Sequence, residues 1–182
     1  MGRAVETAMR LFHARGYDAV GVAELGAAFG ITPPSFYAAF GSKAGLLARA
    51  LQRYGSSEAN VFERARADGG SVAAVIDRTL ALAAHLYPLH GGIAGCLVMD
   101  GTRNSTDPEA RALAQAARQA GRDAIRDFIV TEHPKHAEAL ADLVFIAMAG
   151  MSAAARDGAD EASLTAFAAS IGRAFRREAR RG

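Results

Sequence analysis

Apolar residues recur at intervals of three and four along the whole chain, and no stretch combines strict alternation with hairpin turn dipeptides, so the pattern predicts helix throughout. The first helix spans Gly2 to Arg15, with Val5, Ala8, Met9, Leu11 and Phe12 on one broad face and Gly16 placed as a left-handed cap. A second covers Val22 to Phe29, buries Val22, Leu25 and Phe29, and stops at Gly30 in the same way. The third begins at Pro33, where a missing amide hydrogen is harmless in the first turn; Thr32 is its N-cap and Phe40 lies near its end. Ser42 opens the fourth. Breaks at Ser56 to Ser57 and Asp68 to Ser71 bracket the end of a long fourth helix and the start of a fifth, which Ser71 caps and which reaches Tyr87 before Pro88. The glycine-rich stretch from His90 to Asn104 holds a short helix around Cys96 and Met99. Asp107 and Pro108 open the next long helix. Its buried stripe is Ala110, Leu113, Ala114, Ala117, Ala124, Ile125 and Phe128, with Arg111, Arg118, Arg122 and Arg126 on the wet side. After Pro134 come two final helices, Lys135 to Arg156 and Asp160 to Arg181, divided by Asp157 and Gly158. The predicted class is all-α.

Composition narrows the setting. Of the 182 residues 51% are hydrophobic, and abundant alanine favours helix. Arg, Asp, Glu, Gly or His nevertheless interrupts every window well short of the ~18 consecutive apolar residues of a membrane span, so no membrane partner is expected. Met1 to Arg10 lack the apolar stretch and cleavage site of a secretory signal, and the single cysteine, Cys96, allows neither an internal disulfide nor a multi-cysteine zinc site. Both features point to the cytoplasm. Net charge is +2 but uneven. Up to Tyr54, Arg3, Arg10, Arg15, Lys43, Arg49 and Arg53 outweigh Glu6, Asp18 and Glu24, whereas the remainder is nearly neutral. A small positive module beside a larger neutral one is compatible with phosphate binding by the first.

The second and third helices are joined by only Gly30, Ile31 and Thr32, the geometry of a helix-turn-helix. Leu25, Ile31 and Phe36 brace the pair. Phe36 and Phe40 share the core-facing side of the third helix, which leaves Ser35, Tyr37 and Ala39 elsewhere around the cylinder as candidates for contact with a major groove.

The run Leu11, Phe12, Gly16, Tyr17, Val22, Leu25, Gly30, Ile31, Ser35, Tyr37, Phe40, Ser42 and Lys43 resembles the signature of the TetR family of bacterial regulators, over residues 4 to 54. Two later segments, Gly95 to Leu97 and Ala155 to Ala159, look like one branch of that family's second domain. The resemblance implies a helix-turn-helix DNA-binding domain over residues 1–48 and a helical ligand-binding and dimerisation domain over 49–182. It also implies a homodimer through the last two helices and a double-stranded operator released by a small-molecule effector. Residue by residue, it puts Tyr37 and Lys43 on phosphates, with Pro33, Pro34, Ser35 and Ala39 near base edges. Lys43 independently follows the Ser42 cap, where an ammonium and unpaired amide hydrogens can meet one phosphate.

Two features depart from the family pattern. Ala38 and Ala39 stand where larger polar readers are common, which restricts hydrogen-bond readout mainly to Thr32, Ser35 and Tyr37 and leaves more to thymine methyls and DNA shape. Val20 and Gly21 replace the hydroxyl residues usual at the start of helix two. Only Met1, Gly2 and Arg3 precede or open helix one, so an extended basic arm in the minor groove is not expected.

For the effector pocket the candidates are His85, Tyr87, His90, Met99, Arg103, Phe128, Phe145 and Met148: adaptable apolar side chains and polar groups near the glycine-rich bend. The five histidines, at 13, 85, 90, 133 and 136, show no metal spacing, so neither metal nor cofactor is expected. Cys96 reads as a small buried hydrophobe, and the arginines at the end of the chain as a solvated helix end. An enzyme is disfavoured: no nucleophile has a partnered base, and there is neither a carboxylate pair nor a phosphate-cradling glycine loop. The alternative to a regulator is a helical protein-binding adaptor that has lost DNA binding.

Overall fold

In the computed structural model, which describes residues 2–88 and 92–180, the described residues form helices and connecting turns with no strand. In order these are α1 (Gly2–Arg15), α2 (Val22–Phe29), α3 (Pro33–Phe40), α4 (Lys43–Gly55), α5 (Val61–Ala67), α6 (Val72–Leu86), α7 (Leu97–Asp100), α8 (Pro108–Val130), α9 (Ala137–Arg156) and α10 (Glu161–Ala179). They sort into two compact units, residues 1–59 with 96–118, and residues 60–95 with 119–182.

In the first unit α1 packs on α4 and α2, α3 on α2 and α4, and α7 on α1 and α4. Phe12, Leu25, Phe36, Leu46 and Leu47 are fully buried there, each worth about 1.5–3 kcal/mol of hydrophobic stabilisation as a large apolar side chain. The caps follow local rules. Gly30 adopts φ +68° and closes α2, which lets the Ile31 amide donate to the Gly26 carbonyl at 3.0 Å. Ser42 caps α4 by accepting from the Gly45 amide at 2.8 Å.

The second unit is organised on α6, which packs against α5, α9 and α10. Ile76, Leu80, Leu140 and Phe175 fill its core. Gly172 of α10 stands where a side chain would collide with the Asp77 carboxylate of α6, and Arg176, one turn on, is ion-paired with that carboxylate. α9 is, among the described residues, the one helix long and apolar enough to cross a membrane by length and composition. Its small alanines raise the mean hydropathy. Glu138 and Asp142 interrupt the run, and both are held by Arg122 of α8 at 2.7 Å.

Three expectations are corrected. The segment between the breaks at 56 and 71 is a separate helix, α5, because Asn60 supplies an N-cap by accepting from the Glu63 amide at 3.3 Å. The arginines of α8 are not uniformly on a wet face: Arg111 is exposed, but Arg118, Arg122 and Arg126 are half-buried. The side chain of Arg122 is only 16% exposed, because carboxylates from α8 and α9 surround it. α9 also begins at Ala137, two residues later than expected, with His136 at its N-cap.

Candidate nucleic-acid interface

The turn between α2 and α3 is built by a small aromatic cluster. Phe29 of α2 lies 6.4 Å from Phe36 and 5.9 Å from Phe40 of α3, and those two rings are 5.1 Å apart. Gly26 allows the chain to fold back at this point: a Cβ there would sit 3.0 Å from the Ile31 carbonyl. Leu25 and Phe36 brace the pair as expected, and Phe29 carries the part of the brace that was assigned to Ile31, which is only half-buried.

With Phe36 and Phe40 turned inward, the rest of α3 faces out. Thr32, Pro33, Pro34, Ser35 and Ala38 are exposed, Tyr37 is 51% exposed, and Ala39 is half-buried. Tyr37 is therefore a surface aromatic, its ring edge-on to Phe36 at 5.6 Å. Thr32 caps the helix through the Ser35 amide, and the two hydroxyls lie 3.0 Å apart. Ala38, noted in the sequence only as a missing polar reader, is more open than Ala39.

Lys43, in the first turn of α4, is half-buried. Its ammonium lies 4.0 Å from the centre of the Tyr17 ring, a cation–π contact. Burial pushes its pKa down, against the opposing pull of Asp18 and Asp107. These acids are locked in place. The Asp18 carboxylate accepts from the Ser105 hydroxyl at 2.6 Å and the Thr106 amide at 2.9 Å. The Tyr17 hydroxyl donates to Asp107 at 2.6 Å. The Ser105 hydrogen bond holds Asp18 below the usual carboxylate range, and the Tyr17 phenol does the same for Asp107, while burial raises the pKa of Tyr17. Sequence reading missed this network because its halves stand about ninety positions apart; Asp107 was legible only as a helix opener.

Of the other basic residues in this unit's first helices, Arg15 is ion-paired with Glu24 and Arg53 with Glu6, at 2.8 Å for the second pair. Arg49 stacks on the Phe40 ring at 5.4 Å. Arg3 and Arg10 are exposed on α1.

The pocket candidates are distributed. In the second unit Tyr87 and Met148 are buried, while Phe128 and Phe145 are half-buried, the first against Phe62 at 5.9 Å and the second against Gly121. His85 is exposed and 2.9 Å from Glu161. In the first unit Met99 is half-buried, and exposed Arg103 donates to the buried Asp100 carboxylate at 3.1 Å. His90 lies outside the described residues. Cys96 is buried, and burial pushes its thiol pKa up, the reverse of what a reactive thiolate requires. Gly95, with φ +81°, lies against Ser152 and Arg156, where a Cβ would be 2.8 Å from the Arg156 Nε. This joins the two separate segments that look like one branch of the family. Among the described residues no three His, Cys, Asp or Glu side chains are grouped to hold a metal.

Comparisons with known proteins find a family and relatives for this chain. Residues 4–50 match the family described as "Bacterial regulatory proteins, tetR family". The HTH-type transcriptional repressor BdcR of Escherichia coli (strain K12) is 41% identical over 174 residues, 96% of this chain and 88% of that protein. The HTH-type transcriptional repressor ComR of the same organism is 30% identical, over 86% of this chain and 79% of its own length. Among solved structures, a cysteine-substituted form of the TetR family transcriptional regulator CifR, complexed with 26-bp double-strand operator DNA, is 27% identical. It superposes with a TM-score of 0.80 over 96% of this chain and 95% of that one.

Proposed function

The chain belongs to the TetR family of bacterial regulatory proteins and is a helix-turn-helix DNA-binding transcriptional regulator, and from that premise we propose that it is a repressor released from a pseudo-palindromic operator by a small-molecule effector. The sign of regulation rests on the two relatives named as repressors. The observation that carries the DNA contact is α3: a buried Phe36 and Phe40 leave Thr32, Pro33, Pro34, Ser35 and Tyr37 outside, on a helix fixed from behind by Phe29. Residues 1–48 are the DNA-binding part in this reading, with Tyr37 and Lys43 on phosphates and the first turn of α3, with Ala39, near base edges. The helical part pairs two copies through α9 and α10. That pairing sets two α3 helices about one DNA turn (~34–36 Å) apart. Within the second unit, Tyr87, Phe128, Phe145 and Met148 are the apolar candidates to line an effector pocket. Effector and operator are coupled by roughly 1–3 kcal/mol. No catalytic step is involved, and the protein works in the cytoplasm, where the operator is.

The test is fluorescence anisotropy on a duplex selected by the purified protein from a random-sequence library, measured over a range of salt. Lys43→Ala is expected to weaken binding on all duplexes alike and to reduce the slope of log K against log salt by about one. An unchanged slope would remove Lys43 from the phosphate contacts, and absence of any enriched duplex at low salt would overturn the DNA-binding reading.

A further inference from the structure

The outward face of α3 is unusual in what it lacks. From Thr32 to Phe40 there is no arginine, lysine, asparagine, glutamine or carboxylate, the side chains that make bidentate contacts with guanine, adenine or cytosine in the major groove. The hydroxyls that remain are partly engaged. Thr32 Oγ1 takes the Ser35 amide as the helix cap and lies 3.0 Å from Ser35 Oγ, so one of the two hydroxyl protons is used between them. Exposed around them are the rings of Pro33 and Pro34, the Ala38 methyl and the Tyr37 ring. The nearest carboxylate on α2, Glu24, is ion-paired with Arg15.

A hydrocarbon surface in the major groove has one base-specific partner, the 5-methyl group of thymine. Resting on the DNA-binding reading above, we propose that this protein reads its half-sites through thymine 5-methyl groups packed against Pro33, Pro34 and Ala38. In this arrangement α3 makes no bidentate hydrogen bond to guanine or adenine. Sequence preference is then a preference for where methyl groups stand, with Lys43 and Tyr37 fixing the register on phosphates.

The experiment alters single atoms of the DNA and leaves the protein intact. A duplex selected by the full-length protein from a random-sequence library is remade with deoxyuridine at each half-site thymine in turn, which removes only the methyl. In parallel it is remade with 7-deazaguanine and 7-deazaadenine, which remove the N7 acceptor. Each contacted thymine is expected to lose about fourfold in affinity on becoming uracil, the equivalent of the ~0.8 kcal/mol of one buried carbon, while the deaza bases change it less than twofold. Ala38→Asn, at an exposed position, is expected to move the selected sequence toward adenine. Uracil duplexes that bind as tightly as the parent, or a deaza purine that costs tenfold or more, overturn the proposal while leaving the DNA-binding reading in place. A library from which nothing is enriched overturns both.

Discussion

Tyr17 joins several contacts in one side chain: its ring carries the Lys43 ammonium, its hydroxyl donates to Asp107, and its amide donates to the Gly101 carbonyl at 2.8 Å. Tyr17→Phe keeps the ring and the burial but leaves Asp107 without its phenol, and is expected to lose about 1 kcal/mol in urea unfolding. The two neighbouring carboxylates add a pH dependence. Asp18 and Asp107 are held below their usual range, by the Ser105 hydroxyl and the Tyr17 phenol respectively. A carboxylate depressed in the folded state adds stability that is present above its unfolded pKa, about 3.9, and is lost as pH falls through the folded value. Thermal unfolding between pH 5 and pH 2.5 should therefore show a falling acid limb, and the double variant Asp18→Asn with Asp107→Asn should flatten it. Tyr17 works in the opposite sense: its raised pKa keeps the phenol neutral, so its contribution persists below pH 10 and fades above it.

Helices α3 and α4 meet at a turn that one glycine makes possible. A Cβ on Gly45 would lie 2.3 Å from the Phe40 carbonyl oxygen, a backbone atom that no side-chain rotation can move. Gly45→Ala must therefore displace the first turn of α4, and with it Ser42 and Lys43. Overpacking of this kind costs about 1–3 kcal/mol. Gly55→Ala is the matched control, because nothing lies within 4 Å of its added carbon and alanine is the better helix former. Chemical denaturation of the pair should show loss for the first and none for the second. Helix boundaries were legible where a cap and an apolar stripe coincide, as at Thr32, Ser42, Ser71 and Asp160, all of which cap through a side chain. α5 was not, since seven residues give too short a period to stand apart from a break. The arginines of α8 were misplaced because helical phase says which side chains share a face, not what packs opposite them.

At the scale of the whole molecule, α9 and α10 keep large apolar side chains outside: Ile146 is 68% exposed and Phe167 43%. In the proposed dimer this is the surface that pairs. Ile146→Glu combined with Phe167→Glu is expected to give a monomer by light scattering, with unchanged helicity by circular dichroism. Operator affinity should fall by a factor of 10² or more, because two half-sites are no longer bound as one linked event. A double variant that remained dimeric would place the pairing elsewhere. The sequence by itself determined the all-α class, the three opening helices with their tight turn, and the inward pair Phe36 and Phe40 on α3, because periodicity, caps and glycine turns act within a few residues. Only the tertiary structure decided that Lys43 rests on Tyr17, that Asp18 is held by Ser105 and Thr106, that Gly95 abuts Arg156, and that Arg122 is enclosed by acids from two helices. These contacts join positions that no local rule connects, and they exist because burying the apolar faces brings distant segments to the same place.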